Sequence, residues 1–310
     1  MSRTVVITGA TGFIGGMLVK RLSSTGWHIR SLVRADSLDK RSKDVEPEWV
    51  TGDLGDRESL KRLVAGADAI VHCAGAVRGA NQEDFDRVNV GGLARLVQVA
   101  AAENSKPRFL LLSSLAAREP HLSFYAASKR NGEKALVSHS GNMFWGVFRP
   151  PAVYGPGDRE MLPLFQWMFR GIAPLIGSDQ NRLSLLYVGD LADAIISWLD
   201  NGKKSQRVYE LHDGHRSGYS WQEIIDIVEC LNGKSVVRTH IPVSFVKLVA
   251  SVNLMASRIF GGAPMLTPGK VRELIHGNWV ADNDQLSNET GWVPKVLLEE
   301  GLRQTFGSGI

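Results

Sequence analysis

The 310-residue chain has only two cysteines, Cys73 and Cys230. They supply neither a disulfide framework nor a metal-ligand spacing, so a stapled secreted scaffold and a zinc site are not expected. No apolar run approaches the roughly 18 residues that a membrane-spanning helix needs. Charge of one sign is also scarce. The net charge is +4 and no dense Lys/Arg run occurs, so nucleic acid is not an expected partner, although a modest preference for anionic ligands is. There is no internal repeat and no low-complexity tract. A strand pattern starts almost at the first residue, which is read as leaving no room for a signal peptide and implies a cytoplasmic, reducing setting. The remaining composition is that of an ordinary globular chain, 44% hydrophobic and 22% charged, with material for a large core.

The most informative stretch comes first. Thr4-Val5-Val6-Ile7-Thr8 reads as a buried strand. It runs into Gly9-Ala10-Thr11-Gly12-Phe13-Ile14-Gly15-Gly16, and then into a helical apolar pattern at Met17, Leu18 and Leu22. Strand, glycine turn and helix form a dinucleotide site: the glycines let a pyrophosphate approach the backbone, and the helix N-terminus holds its charge. The spacing is G-x-x-G-x-x-G rather than G-x-G-x-x-G.

Strand patterns at 4–8, 28–33, 48–51, 69–73, 108–112 and 144–149 alternate with helical ones at 12–23, 56–65, 84–103 and 124–139. That alternation predicts an α/β fold, a Rossmann-type doubly wound parallel sheet covered on both faces. Proline and glycine punctuate 150–177. A helix at 190–200 and a strand near 207–211 are expected to return to the sheet. The division is therefore a dinucleotide-binding domain over 1–152, with 187–212 rejoining it. A smaller, mostly helical substrate domain is built from 153–186 and 213–310.

Tyr125 and Lys129 stand four residues apart and share a helix face. An ammonium beside a phenol lowers the phenol's pKa, which would make Tyr125 a proton donor or acceptor nearer neutral pH. Leu110-Leu111-Leu112-Ser113-Ser114 reads as a strand ending in hydroxyls, where open α/β sheets bind ligands. Asn89 falls within a helix. It is expected to act as a strut or a water relay toward Lys129, or else to bond its local backbone.

These motifs, with Gly52-Asp53-Leu54, His72-Cys73-Ala74-Gly75, Arg149-Pro150-Pro151-Ala152-Val153-Tyr154-Gly155, Val188-Gly189-Asp190 and Gly291-Trp292-Val293-Pro294, run nearly the whole chain. The ordered set resembles the extended short-chain dehydrogenase/reductases, the superfamily of nucleotide-sugar epimerases, dehydratases and 3β-hydroxysteroid dehydrogenase-like enzymes. The resemblance implies Tyr125 as acid/base, Lys129 as its tuner and ribose ligand, Ser114 as the carbonyl partner with Ser113 the close alternative, and Asn89 as support. It also implies that Gly9, Thr11, Gly12, Phe13, Ile14 and Gly15 surround the pyrophosphate. Asp53 and Leu54 would border the adenine, Ala74, Gly75 and Ala76 the ribose, and Pro150, Ala152 and Val153 the nicotinamide amide. Family members often dimerise through a four-helix contact, which here would use 84–103 and 124–139.

Arg34 ends the second strand, where an acidic residue would accept from a ribose 2′-OH and an arginine accommodates a 2′-phosphate. NADP(H) is therefore favoured over NAD(H), unless Arg34 is merely a solvated strand end. Sugar-nucleotide members carry an arginine where this chain has Leu183, with Arg182 one residue off and expected on the other face. A second expected arginine is replaced by His276-Gly277-Asn278-Trp279, though Arg272 or Arg159 could substitute. Only Leu115 to Phe124 separate Ser114 from Tyr125, which implies an open pocket. Over 243–260, Phe245, Leu248, Val249, Val252, Met255, Ala256 and Ile259 form an apolar stripe. The favoured reading is a helix packed on its own domain. The sharper one is a lid over an apolar substrate, or an edge resting on a membrane surface. Trp279 and Trp292 are expected to be packing residues.

The functional expectation is an NADP(H)-dependent oxidoreductase acting on a secondary alcohol or ketone, with an apolar or lipid-like small-molecule substrate. The alternatives are a nucleotide-sugar epimerase or dehydratase that uses bound NAD(P) transiently, and a non-catalytic dinucleotide-binding subunit.

Overall fold

A computed structural model describes residues 3–40, 45–203 and 206–307. Its centre is a seven-stranded parallel sheet. In chain order the first six strands are β1 (Thr4–Thr8), β2 (His28–Val33), β3 (Glu48–Thr51), β4 (Ala69–His72), β5 (Arg108–Leu112) and β6 (Trp145–Arg149), and the edge strand Gln206–Glu210 is the seventh. Across the sheet the order is edge strand, β6, β5, β4, β1, β2, β3. The order reverses between β1 and β4, and the crevice beyond that reversal is where open α/β sheets take ligands. The register keeps the strand ends level there, with Thr8 opposite His72, His72 opposite Leu111 and Leu112 opposite Phe148. The loops after β1, β4, β5 and β6 therefore open on one rim.

The strands are apolar on both faces because both are covered. Phe13–Leu22 and Val188–Asn201 cover one face through Leu18, Leu22, Leu191, Ile195 and Trp198. Arg57–Val64, Leu93–Ala102 and Phe124–His139 cover the other through Leu60, Leu63, Leu96, Val97 and Leu136. Each such side chain contributes about 1.5–3 kcal/mol by burial. The region expected as one helix over 84–103 is instead three pieces: Gln82–Asp86, a π-helical turn Arg87–Gly92, and Leu93–Ala102. The wide turn carries Asn89. Gly132 lets the helix Phe124–His139 pass against it, since a Cβ there would lie 2.5 Å from the Asn89 carbonyl oxygen.

The later part of the chain has its own core, in which Tyr154, Phe165, Met168, Leu185, Tyr219, Ile225 and Leu298 meet. It is mostly helical, with short strands added. Ile172–Ile176 pairs in parallel with Val237–Ile241, and Arg182–Leu183 lies between Tyr219–Ser220 and Asn278–Trp279. Arg118 fastens this part to the sheet rim by donating to the carbonyls of Val280 and Asn278, each at 2.9 Å.

The helix Val243–Phe260 forms where its periodicity placed it, but the favoured reading of its apolar stripe is overturned. Val246 and Ala250 are buried, whereas Phe245, Leu248, Val252, Met255 and Ile259 are exposed. The apolar arc that the periodicity displayed is the outward one.

Candidate active site

A cleft of about 1460 Å³ lies along the sheet rim and extends between it and the later part of the chain. Its inner wall is the glycine turn. Gly9 has φ +75, and a Cβ on it would sit 2.7 Å from the Ala74 nitrogen; one on Gly15 would sit 2.1 Å from the Gly9 carbonyl oxygen. The helix Phe13–Leu22 starts at Gly12 with no side-chain cap and no acid in its first turn. Free N–H groups, a positive dipole end and a backbone without side chains fit a dinucleotide pyrophosphate.

Gly9, Thr11, Gly12, Phe13, Ile14, Gly15, Arg34, Gly75, Ser114, Tyr125, Pro150, Ala152 and Val153 all line this cleft. The other expected contacts lie elsewhere. Asp53 turns its carboxylate onto the Gly55 N–H at 2.7 Å, and Leu54 packs on Gly92 while its carbonyl accepts from Arg95. Ala74 and Lys129 border a small inner cavity with His72, Asn89 and Ser113. Ala76 is held by Asn89. The asparagine accepts from the Ala76 N–H at 2.8 Å and donates to the Ala76 carbonyl and to the Ser128 hydroxyl. Asn89 is thus a strut between the β4 loop and the helix Phe124–His139, not a local backbone bond.

Ser113 donates to the buried Glu133 at 2.6 Å, and Glu133 also pairs bidentately with Arg149. Its hydroxyl is committed. Ser114 begins a 3₁₀ turn, its hydroxyl accepts from the Ala116 N–H at 3.2 Å, and it lines the cleft with Tyr125. Ser123 caps the helix that carries Tyr125, accepting from the Ala126 N–H, and donates to Glu273 on the helix Pro268–Ile275. Arg272 on that helix donates to the Leu122 carbonyl.

The charge states correct one expectation. Burial pushes the Tyr125 phenol up to about 12, against the lowering by the nearby Ser114 hydroxyl, with Glu273 adding to the rise. Lys129 does not lower it. Its ammonium donates to the Leu112 carbonyl at 2.8 Å, and burial brings Lys129 down to about 8, against the pull of Glu133 and Cys73. The cost of dehydration exceeds the attraction that i,i+4 spacing alone would predict. His72, buried and bonded to Thr8, falls to about 3 and stays neutral.

Several cleft residues gave no local signal. Met161, Leu164, Ile176, Leu254, Met265 and Leu274 give the outer wall an apolar part beside the charged Arg159, Glu160, Lys270 and Arg272, and Trp279, expected to be only packing, lines it as well. Trp292 is buried in the core as expected. Arg182 lines the cleft beside Leu183 rather than facing away, because the strand there is only two residues long. It is engaged by Glu223 and the Gly218 carbonyl, each at 3.1 Å.

Residues 5–211 match the model of the NAD-dependent epimerase/dehydratase family. The chain belongs to that family. Across 301 residues it is 38% identical to a ceramide reductase of Caulobacter vibrioides, covering 97% of this chain and 92% of the relative. It is 25% identical to a UDP-glucose 4-epimerase of Vibrio cholerae over 98% of this chain and 95% of that protein. Among solved structures, MoeE5 in complex with UDP-glucose and NAD superposes with a TM-score of 0.73 at 20% identity, covering 97% of each chain. The extended short-chain dehydrogenase/reductase resemblance and the enzyme class therefore stand. Membership in an NAD-dependent family accounts for the glycine cradle.

Proposed function

We propose that this chain is a reductase that uses NADPH to turn a ketone on a long-chain, ceramide-type lipid into a secondary alcohol. The observation that carries the proposal is a single cleft lined both by the Ser114 and Tyr125 hydroxyls and, farther out, by a group of large apolar side chains. The relative named ceramide reductase adds the lipid class. A ketone at the position of the lipid's secondary alcohol is the reducible group that suits a hydroxyl pair. Bound NADPH would supply the hydride. Ser114 orients the carbonyl oxygen, and Tyr125 gives its phenolic proton to the developing alkoxide. Lys129, charged below about pH 8, supplies a positive field at the rim. A phenol near 12 is fully protonated at neutral pH, which suits proton donation and hence reduction.

The choice of NADPH rests on Arg34. It lies in the cleft wall just after β2, where a ribose 2′-phosphate would arrive, donating to the Ser37 hydroxyl at 3.4 Å and pairing with the exposed Asp36 at 3.5 Å, a partner that the phosphate would have to displace.

Purified protein, a 3-oxo-ceramide in detergent micelles and NADPH should lose reduced-nicotinamide absorbance while the lipid gains two hydrogens by mass spectrometry. Tyr125→Phe should cut turnover about 10²–10⁴-fold with NADPH affinity unchanged. Full turnover in Tyr125→Phe would refute the mechanism.

Arg159 favours a second reading. It lines the cleft and has no ion-pair partner among the described residues, so it could meet a sugar-nucleotide phosphate. Near-stoichiometric NAD that co-purifies and resists dialysis would put that epimerase-type reading first.

A further inference from the structure

The helix Val243–Phe260 packs inward only through a narrow contact. Val246 and Ala250 meet Val271, with Ile241 and Leu266 alongside. On the open side, Phe245, Leu248, Val252, Met255 and Ile259 are 59–69% exposed, and Val249 and Phe260 extend the same surface. At 3.6 residues per turn these seven span an arc of about 140°, wider than the two-position seam of a coiled coil. A contiguous exposed apolar surface of this kind marks an interaction site.

The sequence around it is one-sided in charge, the nearby acids being Asp179 beside His240 and Glu273 paired with Lys270. From Cys230 to Arg272 the sequence contains no Asp or Glu in 43 consecutive residues, although acids make up 32 of the 310. Six cations fall in that stretch: Lys234, Arg238, Lys247, Arg258, Lys270 and Arg272. Lys234, Arg238 and Lys247 are exposed and make no ion pair among the described residues. A protein partner has no general need for an acid-free surround. An anionic lipid surface does, because each nearby Lys or Arg adds attraction and each acid would subtract it.

We propose that the helix Val243–Phe260 docks the protein on an anionic phospholipid bilayer, lying in the interface with its apolar arc in the acyl boundary. Among the described residues no helix is long and apolar enough to cross a membrane, so the helix lies on the surface. Leu254, on the side of this helix opposite the exposed arc, and Met265 just beyond it line the cleft, so the docked helix also borders the site. The purpose of docking rests on the proposed lipid substrate, which would reach the cleft without crossing water. The docking itself rests on the helix alone.

The test is sedimentation of the full chain with phosphatidylglycerol/phosphatidylcholine vesicles and with phosphatidylcholine vesicles. The wild type should bind the anionic vesicles, less so at high salt, and the zwitterionic ones weakly. Leu248→Glu/Met255→Glu should lower partition by on the order of tenfold or more, with the thermal midpoint and NADPH affinity retained. Lys234→Glu/Lys247→Glu should lose the preference for anionic lipid while keeping the apolar arc. Three results would overturn the proposal: no binding of the wild type, equal binding by Leu248→Glu/Met255→Glu, or a solution dimer that this variant splits. Vesicle binding without ketone reduction would overturn the substrate reading and leave the docking intact.

Discussion

Lys129 should weaken the fold that it serves. Its ammonium is held in a small cavity with His72, Asn89 and Ser113, donates to the Leu112 carbonyl, and is carried down from 10.5 to about 8 by burial. At about 1.4 kcal/mol per pKa unit, keeping it charged at pH 7 costs the folded state about 3 kcal/mol. Methionine has similar length and no charge. Lys129→Met removes that cost but forfeits the hydrogen bond to Leu112, which returns about 1 kcal/mol. The variant should therefore be about 2 kcal/mol more stable than wild type at pH 7, while losing turnover because the cation at the active-site rim is gone. The pH dependence is specific. The unfolded chain holds the lysine proton up to about 10.5, so wild-type stability recovers as pH rises from 8 to 10.5. The variant's advantage should be whole below pH 8, shrink across that window and turn into a deficit of about 1 kcal/mol above it, the worth of the lost hydrogen bond. Urea unfolding of both proteins at pH 7, 9 and 10, with equal m-values, measures this. A variant less stable than wild type at pH 7, or a gain that ignores pH, would refute the reasoning.

Arg34→Ala should raise the KM for NADPH about 10- to 100-fold, the worth of a charge-assisted phosphate contact, and barely alter that for NADH. Equal effects on both cofactors would remove the 2′-phosphate role. Glu133→Gln should cost about 3 kcal/mol, because it leaves the Arg149 guanidinium buried with only Glu210 at 4.0 Å; an unchanged denaturant midpoint would show that the pair contributes nothing.

The sheet was legible because each of its signals is local. A strand pattern of four to six residues, a short turn and a helical pattern repeat along the first 150 residues, and periodicity reports them directly. The ends of the strands needed no tertiary information either, since Ser113 follows Leu112 and Gly9 follows Thr8 without interruption. The π turn at Arg87–Gly92 was not legible. Asn89, Gly91 and Gly92 are poor helix formers, but that does not specify a wide turn, and the turn widens where Asn89 reaches across to Ala76 and Ser128. Those partners lie 13 and 39 residues away.

The site was legible as a set of residues but not as a set of charge states. Spacing places Tyr125 and Lys129 on one face, yet the direction of a pKa shift depends on how much water each group loses, and that is a property of walls drawn from the whole chain. The helix Val243–Phe260 shows the same limit from the other side. A stripe at helical spacing says that one face is apolar, but says nothing about what covers it. Here the inward contact is made by Val246 and Ala250, small enough to seat the helix on Val271, and the larger side chains are left outside. The bulky arc is then left for something broader than a helix to cover, and the acid-free sequence around it indicates a surface that is itself negative.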